Sequence, residues 1–415
     1  MPTTAEVAGF AADVTYDGLP EAVREAAKRR VLDAVGVGIG SIGRAPTDAV
    51  RRVVTAGDAT GRSRLWGSGS SGSPSDAALY NAALAGCGND ATFLSPALSG
   101  TGGTTAAVLA AAEARSATGE AVVAGLAAAH EVQGELAWNA PLDGFHPATH
   151  TSIAAAVGAA RASGLDAAAI ESAVGLAATR ATLAVEGENA ESLAVGRAAR
   201  TGVDACLLAE AGVEAPDAPG GPGGWRDLVG PFDLDLDPGC ERVRDAAVLP
   251  YGVHPHAQTA IEAAVGLAED AALDPADVDS VTVETVADAV PRVSSTAVAA
   301  ALVDRAVATP PTERADLRPV VDATDVRSDE GLTERADRGE LPARVVVRTR
   351  DGGVHEAELE RFTGHPARPA AWGTVEEKFH ALTGSRYDAE RRTEIVDTVR
   401  GIEAETVAEL SRLLD

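Results

Sequence analysis

Histidine is the side chain best placed to exchange a proton near neutral pH. Five of the eight histidines fall in three loop segments. The first is Gly144-Phe145-His146-Pro147-Ala148-Thr149-His150, a turn leading into an apolar helix. Pro147 fixes the backbone there, and the helix start Thr149–Ser152 offers N–H groups that suit a carboxylate ligand. His146 could act as acid or base, while His150, on the first turn, could orient it or face the core. Either could instead merely cap the helix. The second segment, Tyr251-Gly252-Val253-His254-Pro255-His256-Ala257-Gln258-Thr259, also enters a helix from a loop. Two such histidine-bearing helix starts could converge on one anionic substrate, or each could only satisfy local backbone groups. The third is Gly364-His365-Pro366-Ala367-Arg368-Pro369, where a paired His365 and Arg368 could clamp a carboxylate. A solvated loop is the competing reading of that pair. His130, His355 and His380 sit inside regular elements and read as structural.

Other chemistries find less support. His146 and His150 are four apart, but Pro147 interrupts the helix that would align them on a metal, and the Glu of a His-Glu-x-x-His motif is missing. The cysteines Cys87, Cys206 and Cys240 are far apart and indicate neither a disulfide framework nor a thiolate metal site. The Gly-rich pieces 67–72, 100–103 and 220–224 carry neither phosphate-loop nor dinucleotide spacing. The run Gly67-Ser68-Gly69-Ser70-Ser71-Gly72 misses the spacing of a serine-hydrolase elbow. Lys28 and Lys378 are the only lysines, both in charged helical stretches, which disfavours Schiff-base chemistry.

The elements that must position these residues are mostly helices. Glu21–Val37 places Val23, Ala26, Ala27, Val31 and Ala34 at helical spacing. Ala-rich helical runs follow over Asp76–Ala85, Thr104–Thr118, Ala121–Ala137, Thr151–Ser163, Ala167–Ala178 and Ala194–Ala211. Breakers at Gly86, Gly88, Gly119, Pro141, Gly144, Gly164 and Gly187 separate them. Pro216–Gly224 reads as a loop ending at Trp225. Beyond about residue 270 the texture changes: Val278–Thr285 alternates as a half-buried strand does. Arg344–Arg350, the turn Asp351-Gly352-Gly353 and Val354–Leu359 make a hairpin. Ser295–Val307 reads as helix and Pro310–Leu341 as polar and irregular, before helix returns over Thr374–Leu382 and Ala389–Leu414. The expected fold is mainly α. A helical domain, 1–268 completed by 374–415, carries an inserted smaller α+β lid domain, 269–373.

Composition bounds the partners. The chain has 415 residues, 45% of them hydrophobic but only 3% aromatic, so its core is built from Ala, Val and Leu. A net charge of −27 argues against a nucleic-acid partner and against docking on an anionic membrane. With no signal-like N-terminus and no apolar run of about 18 residues, a cytoplasmic protein is expected. The excess of acid over base, with arginine almost replacing lysine, suggests adaptation to high salt.

In order and spacing these segments resemble the MmgE/PrpD family, which holds dehydratases, decarboxylases and an epimerase. Leu19–Gly40 is similar to the family's opening helix, Gly144–Ala156 to its Gly-Phe-His-Pro-Thr segment, and Gly196-Arg197-Ala198-Ala199 to its Gly-Arg-Ala-Ala. His256-Ala257-Gln258-Thr259-Ala260 resembles His-x-Gln-Thr-Ala; Ser295–Leu302 with Asp304, and Gly364-His365-Pro366, complete the pattern. The resemblance implies a homodimer, no metal and no organic cofactor. It implies a lyase or isomerase acting on a small carboxylic acid, with His146 and His256 as the acid/base pair. Asp90 and Thr92 would position, His254 would assist, and Arg197, with His150 and His365, would bind substrate. The family's Asp-x-Asp-Asp-Thr stands here as Gly88-Asn89-Asp90-Ala91-Thr92, and the stretch 95–103 lacks the His-Pro that normally follows. A lysine of many members is replaced by Glu191 and a tyrosine by Thr296. Exchanging a cation for an anion opposes tricarboxylate binding by roughly several kcal/mol at close range. A substrate with fewer carboxylates is one consequence; a catalytically silent relative acting as a binding or assembly partner is the other.

Overall fold

Small side chains let helices approach until backbone meets backbone, and most of the chain is built that way. The computed structural model describes residues 3–56, 61–94, 96–140, 144–184, 190–271, 273–307, 314–336 and 338–415. The expected breakers Pro141 and Gly187, and Pro310, lie outside these residues. The chain divides into two units, Met1–Ala247 with Trp372–Asp415, and Val248–Ala371.

In chain order the first unit contains helices α1 (Thr4–Asp13), α2 (Glu21–Gly40) and α3 (Ala45–Val54), and the short strand pair β1 (Ser63–Leu65) and β2 (Ser70–Gly72). Then come α4 (Pro74–Ala85), the two-residue strands β3 (Thr92–Phe93) and β4 (Ser99–Gly100), and α5 (Gly102–Glu113). Helices α6 (Gly119–Asn139), α7 (Ala148–Ala162), α8 (Ala167–Ala178), α9 (Ala190–Glu210) and α10 (Trp225–Val229) follow. The core forms where α4, α5, α6, α7 and α9 pack on one another. At the crossing of α6 and α7, a Cβ on Gly158 would stand 2.9 Å from the Gly125 carbonyl and 2.8 Å from the Ala129 Cβ. Only glycine permits that approach.

The second unit opens with α11 (Gln258–Asp270), β5 (Val278–Thr285) and α12 (Ser295–Asp304). It continues through α13 (Arg318–Asp322), β6 (Thr324–Ser328), α14 (Glu330–Ala336), β7 (Ala343–Thr349) and β8 (Val354–Leu359). The sheet order is β6-β5-β7-β8, with β6 parallel to β5 and the other pairs antiparallel. Val281 faces Val347 and Val283 faces Val345 across β5 and β7, and this buried row packs with the apolar faces of α11 and α12. That packing assigns α11 to this unit, which therefore begins at Val248 and not at residue 269. The stretch expected to be irregular, 310–341, contains α13, β6 and α14 among its described residues. β6 is an exposed edge whose polar sequence Thr-Asp-Val-Arg-Ser gives little strand signal.

The chain returns to the first unit as α15 (Trp372–Thr383), which packs on α2, followed by α16 (Ala389–Arg400) and α17 (Val407–Leu413). The single helix expected over 389–414 is broken at Gly401, the C-cap of α16. Among the described residues no helix is long and apolar enough to cross a membrane.

Candidate active site

The loop before α7 is held by its neighbours before any side chain acts. Gly144 adopts φ +79, and Phe145 bridges Leu183 in antiparallel fashion. The His146 N–H donates to the Thr182 carbonyl at 2.8 Å, and the Ala184 N–H to the Gly144 carbonyl at 3.1 Å. Thr182 N–H in turn donates to Thr149 Oγ1 at 3.0 Å. The backbone of His146 is thereby fixed, and its ring is fixed too. The Ala148 N–H donates to His146 Nδ1 at 3.0 Å, so Nδ1 presents its lone pair and the ring proton sits on Nε2. Nε2 lies 2.8 Å from Glu191 Oε2, on the first turn of α9, and donates to that carboxylate.

This histidine lines a cavity of about 450 Å³ together with Ser152, Arg180, Thr182, Leu193, Ala194, Arg197 and Thr201. The side chains of Arg180 and Arg197 pair with no carboxylate among the described residues. Glu191 Oε1 likewise has no hydrogen-bond partner there, and the Glu191 side chain is 67% exposed. The cavity wall thus offers two cationic groups and an imidazole whose Nε2–H is given to Glu191, which is not itself among the lining residues. Filling of the cavity by Phe93, Leu94 or Trp138 would favour a silent relative, and none of the three is among the lining residues: Phe93 packs with Ala137 and Ala246, and Trp138 is exposed.

The other expected residues of this unit lie elsewhere. His150 is fully buried, its Nε2 3.2 Å from the Ala140 carbonyl and its ring against Trp225, and burial pushes its pKa down to about 4. It is a neutral core residue and binds no substrate in this arrangement. The N–H groups expected to be free at the start of α7 are partly spent, since Thr149 donates to the His146 carbonyl and His150 to that of Pro147. Asp90 and Thr92 do not line the cavity either. Asp90 is buried in the loop between α4 and β3, where its Oδ2 accepts the N–H of Gly102 at the start of α5, and Thr92 Oγ1 donates to the Asp90 carbonyl. The Gly-rich piece 100–103 exists to admit this carboxylate: a Cβ on Gly100 would come within 2.8 Å of Asp90 Oδ2. Burial, and then the neighbouring Asp33, push the Asp90 pKa up to about 7 against the Gly102 N–H and Lys378.

Around Asp90 the structure gathers groups that sequence spacing did not reveal. Lys378 of α15 donates to Asp33 Oδ1 and to the Asn89 carbonyl, each at 2.7 Å, with both side chains of the pair buried. Arg30 is buried, reaches the Ala246 carbonyl at 2.7 Å and leaves Nη1 without a partner. His130 is buried with Nδ1 unpartnered, and burial with the nearby Arg30 pushes its pKa down to about 3. Lys28 is tied to Glu25 and Glu403. Neither lysine is free as a nucleophile.

In the second unit, His254 Nδ1 accepts the His256 N–H, and the two rings meet edge-on with centroids 5.2 Å apart. Burial, then His256 and Arg292, lower the His254 pKa to about 4; burial, then Arg292, lower that of His256. Both are therefore neutral bases at pH 7, and neither His256 ring nitrogen has a hydrogen-bond partner among the described residues. The expected His365–Arg368 clamp is not available. Arg368 binds Glu262 at 2.7 Å, and His365 Nδ1 accepts the Ala367 N–H while its ring stands edge-on to Phe362. Thr296 lines a separate cavity of about 460 Å³ in this unit, beside Arg314 and Leu317 and without a histidine. Among the described residues, no group of three or more His, Cys, Asp or Glu could hold a metal ion.

A helical unit with an imidazole at an arginine-bearing cavity, accompanied by an α+β unit, defines a two-unit, mainly α protein. The chain belongs to the MmgE/PrpD family: residues 5–228 match the MmgE/PrpD N-terminal domain and residues 251–401 the MmgE/PrpD C-terminal domain. No individual curated protein matches it significantly.

Proposed function

We propose that the protein is a cofactor-independent lyase or isomerase that moves a proton next to the carboxylate of a small organic acid. Membership of the MmgE/PrpD family supports dehydratase- or lyase-like chemistry at the coarse level. The observation that carries the finer reading is the His146 cavity, with Arg180 and Arg197 unpaired in its wall. The arginines hold the substrate carboxylate. The His146 Nε2–H, its tautomer set by Ala148, donates to the oxygen on which charge develops as the α-proton leaves. A neutral imidazole is suited to that role, because it stabilises an oxyanion without carrying a charge of its own. His256, kept neutral by burial and Arg292, is the proposed base. Such chemistry calls for a base, a donor and a cation, all supplied by side chains, and so for no metal or organic cofactor.

A second reading, a catalytically silent relative that only binds, is favoured by one observation: both ring nitrogens of His146 are already engaged. Turnover separates the two. The purified chain should be assayed by NMR in high salt against hydroxy- and unsaturated di- and tricarboxylates. His146→Gln and His256→Gln should each lower turnover by about 10²–10⁴-fold with melting temperature little changed, and His355→Gln by less than about threefold. Full turnover in His146→Gln refutes the assignment. An unaltered protein that turns over no acid of the panel favours the silent reading.

A further inference from the structure

The stretch after α8 brings Arg180, Thr182 and Leu183 into the cavity wall, yet little packing holds it there. Thr179, Arg180, Ala181, Leu183 and Ala184 are exposed and Thr182 is half-buried, so hydrogen bonds must set its place. Its backbone runs antiparallel to 144–146: the His146 N–H donates to the Thr182 carbonyl at 2.8 Å, and the Ala184 N–H to the Gly144 carbonyl at 3.1 Å. One buried side chain ties the same two segments, that of Thr149 on the first turn of α7. Its Oγ1 accepts the Thr182 N–H at 3.0 Å and donates to the Thr182 carbonyl at 3.3 Å. Its own N–H donates to the His146 carbonyl at 2.9 Å. Three residues therefore close a ring, from His146 to Thr182 to Thr149 and back. Thr149 itself is not among the lining residues, so it reaches a ligand only through others.

We infer that Thr149 is a positioning residue, whose buried hydroxyl holds the His146 ring and Arg180 in register on the wall of one cavity. Arg180 precedes Thr182 by two positions, and the Ala148 N–H that fixes the His146 tautomer belongs to the turn that carries Thr149. Valine in its place would keep the shape and lose both acceptor and donor. The Thr182 carbonyl would then keep only the His146 N–H, and the Thr182 N–H would turn to water. A reacting group misplaced by about 1 Å loses on the order of 10²-fold in rate. The catalytic part of this role rests on the His146 cavity being the substrate site.

Hydrogen exchange in the unaltered chain gives the first test. The Thr182 amide should exchange at least about tenfold more slowly than those of Ala181 and Leu183, which have no hydrogen-bond partner among the described residues. Thr149→Val should abolish that protection, and that of the His146 amide, while Ala107 in the α5 core stays protected. With 15N-labelled histidine above roughly pH 8, where an ordinary imidazole is neutral, the unaltered His146 ring should show the Nε2–H tautomer. Thr149→Val should show a mixture of both tautomers and lower turnover on whichever acid is accepted by at least about tenfold. Thr149→Ser restores the hydroxyl and should return ring signal, protection and turnover to within about threefold. Thr149→Ala replaces the valine variant should that one fail to fold. A Thr182 amide that exchanges as fast as its neighbours in the unaltered protein overturns the inference, as does an unchanged His146 ring signal in Thr149→Val. Either result leaves the lyase reading in place. A displaced ring signal with full turnover supports the placement by Thr149 and refutes His146 as the donor of that reading.

Discussion

The carboxyl of Asp90 is surrounded by groups that disagree about its charge. Burial and Asp33 favour the protonated form, while the Gly102 N–H and Lys378 favour the ionised one, and the balance leaves its pKa at about 7 against an ordinary 3.8. A carboxyl whose folded pKa lies above its unfolded value stabilises the fold fully below pH 4, and that contribution is lost as pH rises through 7. Asp90→Asn keeps an acceptor for Gly102 and cannot ionise. Its melting temperature relative to the unaltered protein should therefore climb between pH 4.5 and 7 and level off above. A tenfold change in a protonation equilibrium is worth about 1.4 kcal/mol, so the gain is bounded by roughly 4 kcal/mol. Glu131, pushed up to about 7 chiefly by burial, contributes a slope of the same sign that the substitution leaves untouched. His130 and His150, held neutral by burial, add stability as pH rises and partly mask both. Only the difference between the two proteins isolates Asp90, and a difference that is flat with pH would mean that Asp90 is ionised in the fold.

At the scale of elements, the crossing of α6 and α7 decides how firmly the His146 loop is held, because α7 begins directly after Pro147. Gly158→Ala would bring a Cβ to 2.5 Å from the Val108 Cγ2 and 2.9 Å from the Gly125 carbonyl. Overpacking of a close-packed core costs typically about 1–3 kcal/mol, so the midpoint of urea unfolding should fall with little change in slope. An unchanged midpoint would show that the helices can separate at no cost. The helices themselves were legible in sequence because alanine periodicity and the glycines between runs are local signals: α8 lies where the pattern puts it, and β5 and β8 match their expected ranges. β6 was not legible, since its place beside β5 is set by a parallel pairing between distant segments and only Val326 of its five residues is aliphatic. The site divides in the same way. His146, His254 and His256 announced themselves by residue type and by proline neighbours. The Glu191 partner of His146 lies 45 positions away, and the Lys378 partner of Asp33 lies 345 away, distances at which spacing carries no information.

For the whole molecule the governing quantity is charge. With 62 acidic against 35 basic side chains, most of the acids face water, the described buried ones being Asp33, Asp90, Glu131, Glu135 and Glu284. A net charge of −27 repels itself in the compact state. Some of it is neutralised locally, as where exposed Arg314 reaches both Asp304 and Asp316, but solvent and salt screen surface pairs of this kind and they contribute little. Salt therefore acts in two directions, weakening those pairs and screening the repulsion among unpaired acids. Because unpaired acids outnumber pairs, screening should win. Raising NaCl from 0.1 to 1 M shortens the Debye length from about 10 Å to about 3 Å, so the melting temperature should rise by several degrees over that range and flatten beyond it. Sucrose at equal molarity, which is excluded from the surface without screening, should raise it less and without the plateau. Repeating the scan at two protein concentrations separates screening from salt-driven association, which alone would make the midpoint depend on concentration. A melting temperature that stays flat from 0.1 to 1 M would mean that the surface acids are already balanced by their arginines, and that the charge excess reports nothing about the salt in which this protein works.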